Sequence, residues 1–185
     1  MFKVHCILGE KMKRISFLFL AIVMVCATLL TQVSLPRPVY AAKVCQCLPY
    51  IQAKMGLPAT GDAMFPAYKY PVFLENYKQN GKNVFRVSQV SPLTKNPGDL
   101  NNLMMIWQPG TQGAYGAGHI AQVRSAKYDS SKKVWTIEFI DANGWTNSAI
   151  KLKSSKTEFD CNNVAVRVLT TKSLSGISFY KVSKR

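Results

Sequence analysis

The chain has 185 residues, 24 lysines and arginines against 9 aspartates and glutamates, and a net charge of +15. It shows no internal repeat, no low-complexity tract and no run of five like charges, and residues 42–185 suffice for one domain with its own core but hardly for two. So basic a chain favours partners rich in negative charge, while the charge itself says nothing about the fold.

Lys11, Lys13 and Arg14 precede an apolar run over 15–30, a Pro-containing stretch and Val39-Tyr40-Ala41. This is the plan of a secretory signal peptide, with Met12 a second candidate start. Residues 1–41 are read as an N-terminal extension and signal peptide cleaved after Ala41, and residues 42–185 as a single domain. If uncleaved, the segment would instead hold the domain at a membrane. Val25 stands where a lipid-anchored Cys26 would need a small residue before it. Export makes anionic envelope polymers the expected partners rather than nucleic acid, and the exported chain is expected to be a monomer.

Three cysteines follow Ala41: Cys45, Cys47 and Cys161. An exported compartment permits disulfides, and an odd number leaves one thiol over. Zinc is a poor reading, because Cys-x-Cys is tighter than the usual ligand gap and few other ligands are at hand. No metal or cofactor is expected.

The first predicted helix runs from Cys47 to Met55 and stops at Gly56, a residue suited to a left-handed cap. Pro49 is tolerated only in a first turn, so Cys47 falls at the helix N-terminus. There the unpaired N–H groups and the positive end of the dipole stabilise a thiolate. Beyond Pro66 and Pro71 a second helix is predicted over Val72–Gln79, before Asn80-Gly81.

The pattern then changes period. Val84–Val90, Leu103–Trp107, His119–Tyr128, Lys133–Asp141, Asn163–Leu169 and Ile177–Val182 read as strands separated by Gly, Pro, Asn and Ser clusters. Helices first and strands after indicate an α+β domain, N-terminal helices packed on a mostly antiparallel sheet.

His119, in YGAGHIAQV, is the one histidine after residue 41. It opens a strand and shares a face with Ala121 and Val123. In the next strand Trp135, Ile137 and Phe139 share a face that continues to Asp141 and Asn143, with Thr136 and Glu138 on the solvent side. A hairpin loop over 129–132 sets His119 opposite Asp141 or Asn143, where directly opposed Cβ atoms lie about 4.5–5.5 Å apart. The chain therefore offers a thiol at a helix start, a histidine to take its proton, and an acid or amide to orient that histidine. This is the pattern of an activated cysteine nucleophile, with helix N–H groups available to an oxyanion.

These residues resemble the cysteine- and histidine-dependent amidohydrolase/peptidase (CHAP) domains of the papain-like superfamily. The resemblance rests on Cys47-Leu48-Pro49-Tyr50 opening a helix, Pro97-Gly98-Asp99 before a strand, Gly118-His119-Ile120-Ala121 starting the next, Asp141-Ala142-Asn143 after it, and a closing ISFYKV. It covers nearly all of residues 42–185. Asp141 stands where Glu is more common, Pro49 where an aromatic residue is common, and the segment after Asp99 is long.

The resemblance implies a papain-like fold and a secreted cysteine peptidase or amidase that cleaves amide bonds of bacterial peptidoglycan, extracellular or in the cell wall. Cys47 would be the nucleophile, His119 its base, and Asp141 or Asn143 the third member. With that role for Cys47, it implies a Cys45–Cys161 disulfide; the alternative, Cys47–Cys161, would abolish catalysis. Tyr50, Trp107 and Trp135 are expected to be packing residues, and Trp145 either packed or lining a groove. Two other classes remain: a non-catalytic module binding anionic wall polymers through its basic surface, and a disulfide-stapled structural or toxin-like protein.

Overall fold

In a computed structural model of the chain, the described residues are 46–62, 64–92, 96–159 and 161–185. The signal segment expected over 1–41, the boundary after Ala41 and Cys45 lie outside them. Among the described residues two α-helices, α1 (Cys47–Met55) and α2 (Tyr70–Asn76), precede nine strands. These are β1 (Lys78–Gln79), β2 (Lys82–Asn83), β3 (Phe85–Val90), β4 (Met104–Trp107), β5 (His119–Asp129), β6 (Val134–Ala142), β7 (Ile150–Glu158), β8 (Cys161–Thr171) and β9 (Ile177–Lys184). Seven of them form one sheet in the order β3-β9-β4-β5-β6-β8-β7, every neighbouring pair antiparallel. The domain is α+β.

Helix α1 has the predicted bounds. Gly56 closes it with φ +64, its N–H meeting the carbonyls of Ala53 and Gln52. Helix α2 starts two residues earlier than predicted and ends three earlier. The reason is the Asn80-Gly81 pair: both residues have positive φ, as a type I′ turn requires, and they turn Lys78–Gln79 back on Lys82–Asn83 as a hairpin. Six strands lie within a few residues of their predicted positions. The seventh in the sheet, β7, was not predicted. It is an edge strand in which Ile150 alone is buried, and two register shifts break its alternation. Edge strands carry lysines that block further pairing, and Lys151, Lys153 and Lys156 fit that use.

Pleating divides the core between the two faces of the sheet. Even-numbered residues Met104, Ile106, Ile120, Ile140, Ala142, Val164 and Val166 pack with Leu48, Ile51, Tyr70 and Leu74 of the helices. Odd-numbered Met105, Trp107, Ala121, Val123, Ile137 and Phe139 pack together on the other face. Each fully buried aliphatic side chain of this kind contributes about 1.5–3 kcal/mol. The helices reach only the Ile140–Ala142 end of β6, so α1 begins where β5 begins and β6 ends. That shared end holds the site.

Candidate active site

Cys47, His119 and Asp141 form one hydrogen-bonded chain. His119 is almost fully buried, and its Nε2–H donates to Asp141 Oδ2 over 2.6 Å. With Nε2 so engaged, Nδ1 is the ring nitrogen left for the sulfur. Cys47 is a free, half-buried thiol. Burial pushes it up, but the hydrogen bond to His119, the charge on that ring and the backbone N–H groups of Ile120 and Leu48 outweigh burial, and its pKa is lowered. A lowered thiol pKa raises the share of the nucleophilic thiolate.

The local chain explains each placement. Gln46 precedes α1 in extended conformation with no side-chain cap, so the Leu48 N–H is free to meet the sulfur. Gly118, with φ +70, lets the chain enter β5 tightly; a Cβ there would stand 2.5 Å from the Trp107 carbonyl oxygen. The β5–β6 register is Gln122↔Ile140 and Val123↔Phe139, with a bulge between Val123 and Ser125 that shifts the pairing toward the hairpin loop. Continued toward the site, this register sets Asp141 opposite Ala121. Asp141 therefore meets His119 on the diagonal, a distance long side chains span.

Asn143 does not join that chain. It takes a left-handed backbone (φ +55), lies exposed, and donates through Nδ2 to Gln46 Oε1 over 3.1 Å. Of the two candidates for orienting His119, the structure brings Asp141 to the ring and sends Asn143 to the segment before Cys47. Asp99 is exposed in a 3₁₀ turn over Pro97–Leu100. Trp107 and Trp135 are buried, as expected.

Aromatic rings wall the imidazole. Trp107 lies 5.4 Å from the His119 ring and Trp145 lies 4.9 Å from it, edge-on. Trp145 is held there by its own Nε1–H, which donates to the Gln112 carbonyl at 2.8 Å, and Asn147 donates to the same oxygen at 2.8 Å. One carbonyl thus ties the 108–118 loop to the 143–150 loop. Beside Trp145 a cleft of 360 Å³ is lined by Asn143, Trp145, Thr146, Leu152, Ser155 and Arg167, among others. A larger hollow of 510 Å³ lies against α2, around Phe65, Phe73 and Tyr77, and includes none of the three chain members.

Sequence reasoning missed Arg167. It is buried, its Nη1 pairs with Asp141 Oδ1, and its Nη2 donates to the Gly144 carbonyl at 3.1 Å. The available signal was a lone charge in the apolar run VAVRVL. Sequence reasoning also passed over Gln46 as the partner of Asn143. Cys161 is engaged in a disulfide, and the partner expected for it, Cys45, lies outside the described residues. Tyr50 is a packing residue whose hydroxyl donates to Glu158 at 3.0 Å. No family model, curated protein or solved structure matches this chain.

Proposed function

We propose that the protein is a cysteine amidohydrolase or endopeptidase of CHAP type and papain-like fold, exported and acting on amide bonds of bacterial peptidoglycan. One observation carries the reading: the Cys47 thiol, set at a helix start, hydrogen-bonds His119, which helps lower its pKa, and the other nitrogen of that ring is fixed by Asp141. A packing histidine needs no thiol on one nitrogen and no carboxylate on the other.

The Cys47 thiolate attacks the amide carbonyl carbon, and the charge passes to the carbonyl oxygen. Pro49 has no N–H, the Leu48 N–H meets the sulfur and the Tyr50 N–H bonds Gln46, so the backbone N–H of Cys47 is the helix-start donor available to that oxyanion. The His119 imidazolium then gives its proton to the departing amine as the C–N bond breaks, leaving a thioester on Cys47. Neutral His119 next takes a proton from water, the hydroxide attacks the thioester, and the acid product leaves with the thiol restored. Asp141 keeps the imidazole in the tautomer and orientation both steps need. Trp107 and Trp145 screen the pair from water, which strengthens the charge interactions inside.

The peptidoglycan assignment rests on the motif resemblance, the secretory pattern of residues 1–41 and the net charge of +15, which suits an anionic wall. A Cys45–Cys161 disulfide would staple the segment before α1 to β8 and leave Cys47 free for chemistry.

The test is release of new amino groups from purified peptidoglycan by the wild type and by Cys47→Ala and Cys45→Ala. Activity lost with Cys47→Ala and kept with Cys45→Ala is the expected result, and the amine-bearing fragment names the bond cleaved. Equal inactivity of all three folded proteins on several wall types would favour the wall-binding module instead.

A further inference from the structure

We propose that Arg167 is a positioning residue for the catalytic group, acting through Asp141 to hold its carboxylate ionised and aimed at His119. This inference rests on the reading of Cys47, His119 and Asp141 as a working group. Arg167 stands on β8 opposite Phe139 of β6, while Asp141 stands opposite Ala165. The small side chain of Ala165 leaves the diagonal open, and the guanidinium reaches across it. The two Asp141 oxygens are then divided, Oδ1 to Arg167 and Oδ2 to His119. Carboxylate rotation, otherwise broad, is fixed from both sides.

The loop after Asp141 is built around this contact. Arg167 Nη2 takes the Gly144 carbonyl, and a side chain at Gly144 would overlap both Asp141 Oδ2 and Arg167 Nη1. The planar fork of arginine holds two acceptors at a set separation, which an ammonium does not. Its third nitrogen, Nε, is buried with no hydrogen-bond partner among the described residues. A buried charge left partly unsatisfied is poor stability engineering, since an apolar replacement of similar volume is often neutral or better. The bond to Asp141 accounts for its presence better than stability does.

The charged groups around Asp141 are Cys47 from α1, His119 from β5 and Arg167 from β8. Cys47, His119, Asp141 and Arg167 follow one another along a single line of side-chain contacts. Without the guanidinium, a carboxyl this buried gains a proton more readily. A protonated Asp141 no longer supports the imidazolium, and the Cys47 proton then leaves only at higher pH.

The experiment is the rate of Cys47 alkylation by iodoacetamide against pH, followed by peptide mapping so that other cysteines do not contribute. It needs no wall substrate, so failure of the peptidoglycan assignment leaves it readable. Folded Arg167→Met is expected to shift the acid limb to higher pH, cutting the rate at pH 5 at least tenfold while leaving the rate at pH 9 near wild type. Arg167→Lys should recover most of the limb. A wild-type limb, or one moved to lower pH, in folded Arg167→Met overturns the proposal. Should that variant not fold, the wild-type Asp141 carboxyl is followed by carbon NMR. Persistence of the ionised signal through pH 4 supports the role, and titration between pH 4 and 7 overturns it.

Discussion

Two groups of charges sit on neighbouring strands and behave oppositely. At the β5–β6–β8 end, Asp141 is almost wholly buried between His119 and Arg167. Along the outer face by the β7 edge, Glu138 meets Lys153 at 2.5 Å and Arg124 at 3.6 Å, and Glu158 meets Lys54 at 2.6 Å and Lys156 at 2.5 Å. Both groups set carboxylates against basic side chains at hydrogen-bonding or near-contact range, so geometry alone does not rank them. Water does. Exposed pairs are worth about 0–1 kcal/mol each, whereas breaking a buried pair leaves a stranded charge and costs about 3–5 kcal/mol.

The contrast can be broken most sharply at Asp141. Asp141→Ala should cost about 3–5 kcal/mol by urea denaturation, because Arg167 is left buried without its carboxylate. Loss below about 1 kcal/mol would place Asp141 in the same class as the outer pairs. Asp141→Asn, which keeps the shape, should lower the proposed amide hydrolysis at least about 10²-fold while shifting KM little. Gly144→Ala tests the same end without touching a charge. Its Cβ would displace Asp141, so about 1–3 kcal/mol of stability and about 10²-fold in rate should go together.

The smaller effects lie at the outer cluster. Against burial, which raises it, Lys156, Lys54 and Tyr50 hold the Glu158 carboxyl down to about 2 from its ordinary 4.5. A depressed folded-state value gives a stabilising contribution that is whole above 4.5 and lost as pH falls through about 2. Glu158→Gln should therefore flatten the acid side of the stability curve over that window and leave neutral activity intact. Lys153→Ala should change stability by no more than about 1 kcal/mol, less still at high salt.

The same contrast governs how much the sequence could tell. Helix α1 was legible to the residue because proline and glycine mark its two ends, and that placed Cys47 at a helix start. The strand carrying His119 and the one carrying Asp141 were legible because each alternates against a buried face. Strand β7 was not, because almost all its side chains meet solvent and bulges break its period, so nothing in it repeats. At the site, Cys47, His119 and Asp141 stood out as residue types in a fitting order. Asp141 and Asn143 could not be separated, since both lie on one face and only the register and the left-handed turn at Asn143 send them to different partners. Arg167 was illegible because its meaning depends on a strand 26 positions away.

Pro49 gives α1 an asymmetry with a practical side. Proline has no N–H, and the Tyr50 N–H already bonds the Gln46 carbonyl at 3.2 Å. Of the donors a helix start leaves over, position 49 supplies none and that of Leu48 is committed to sulfur. The segment thus needs no capping side chain, which frees the Gln46 amide to latch onto Asn143 across the mouth of the site. Restoring a donor at position 49 would give the chain a competitor for that glutamine, and the Gln46–Asn143 contact would loosen before Cys47 itself felt the change.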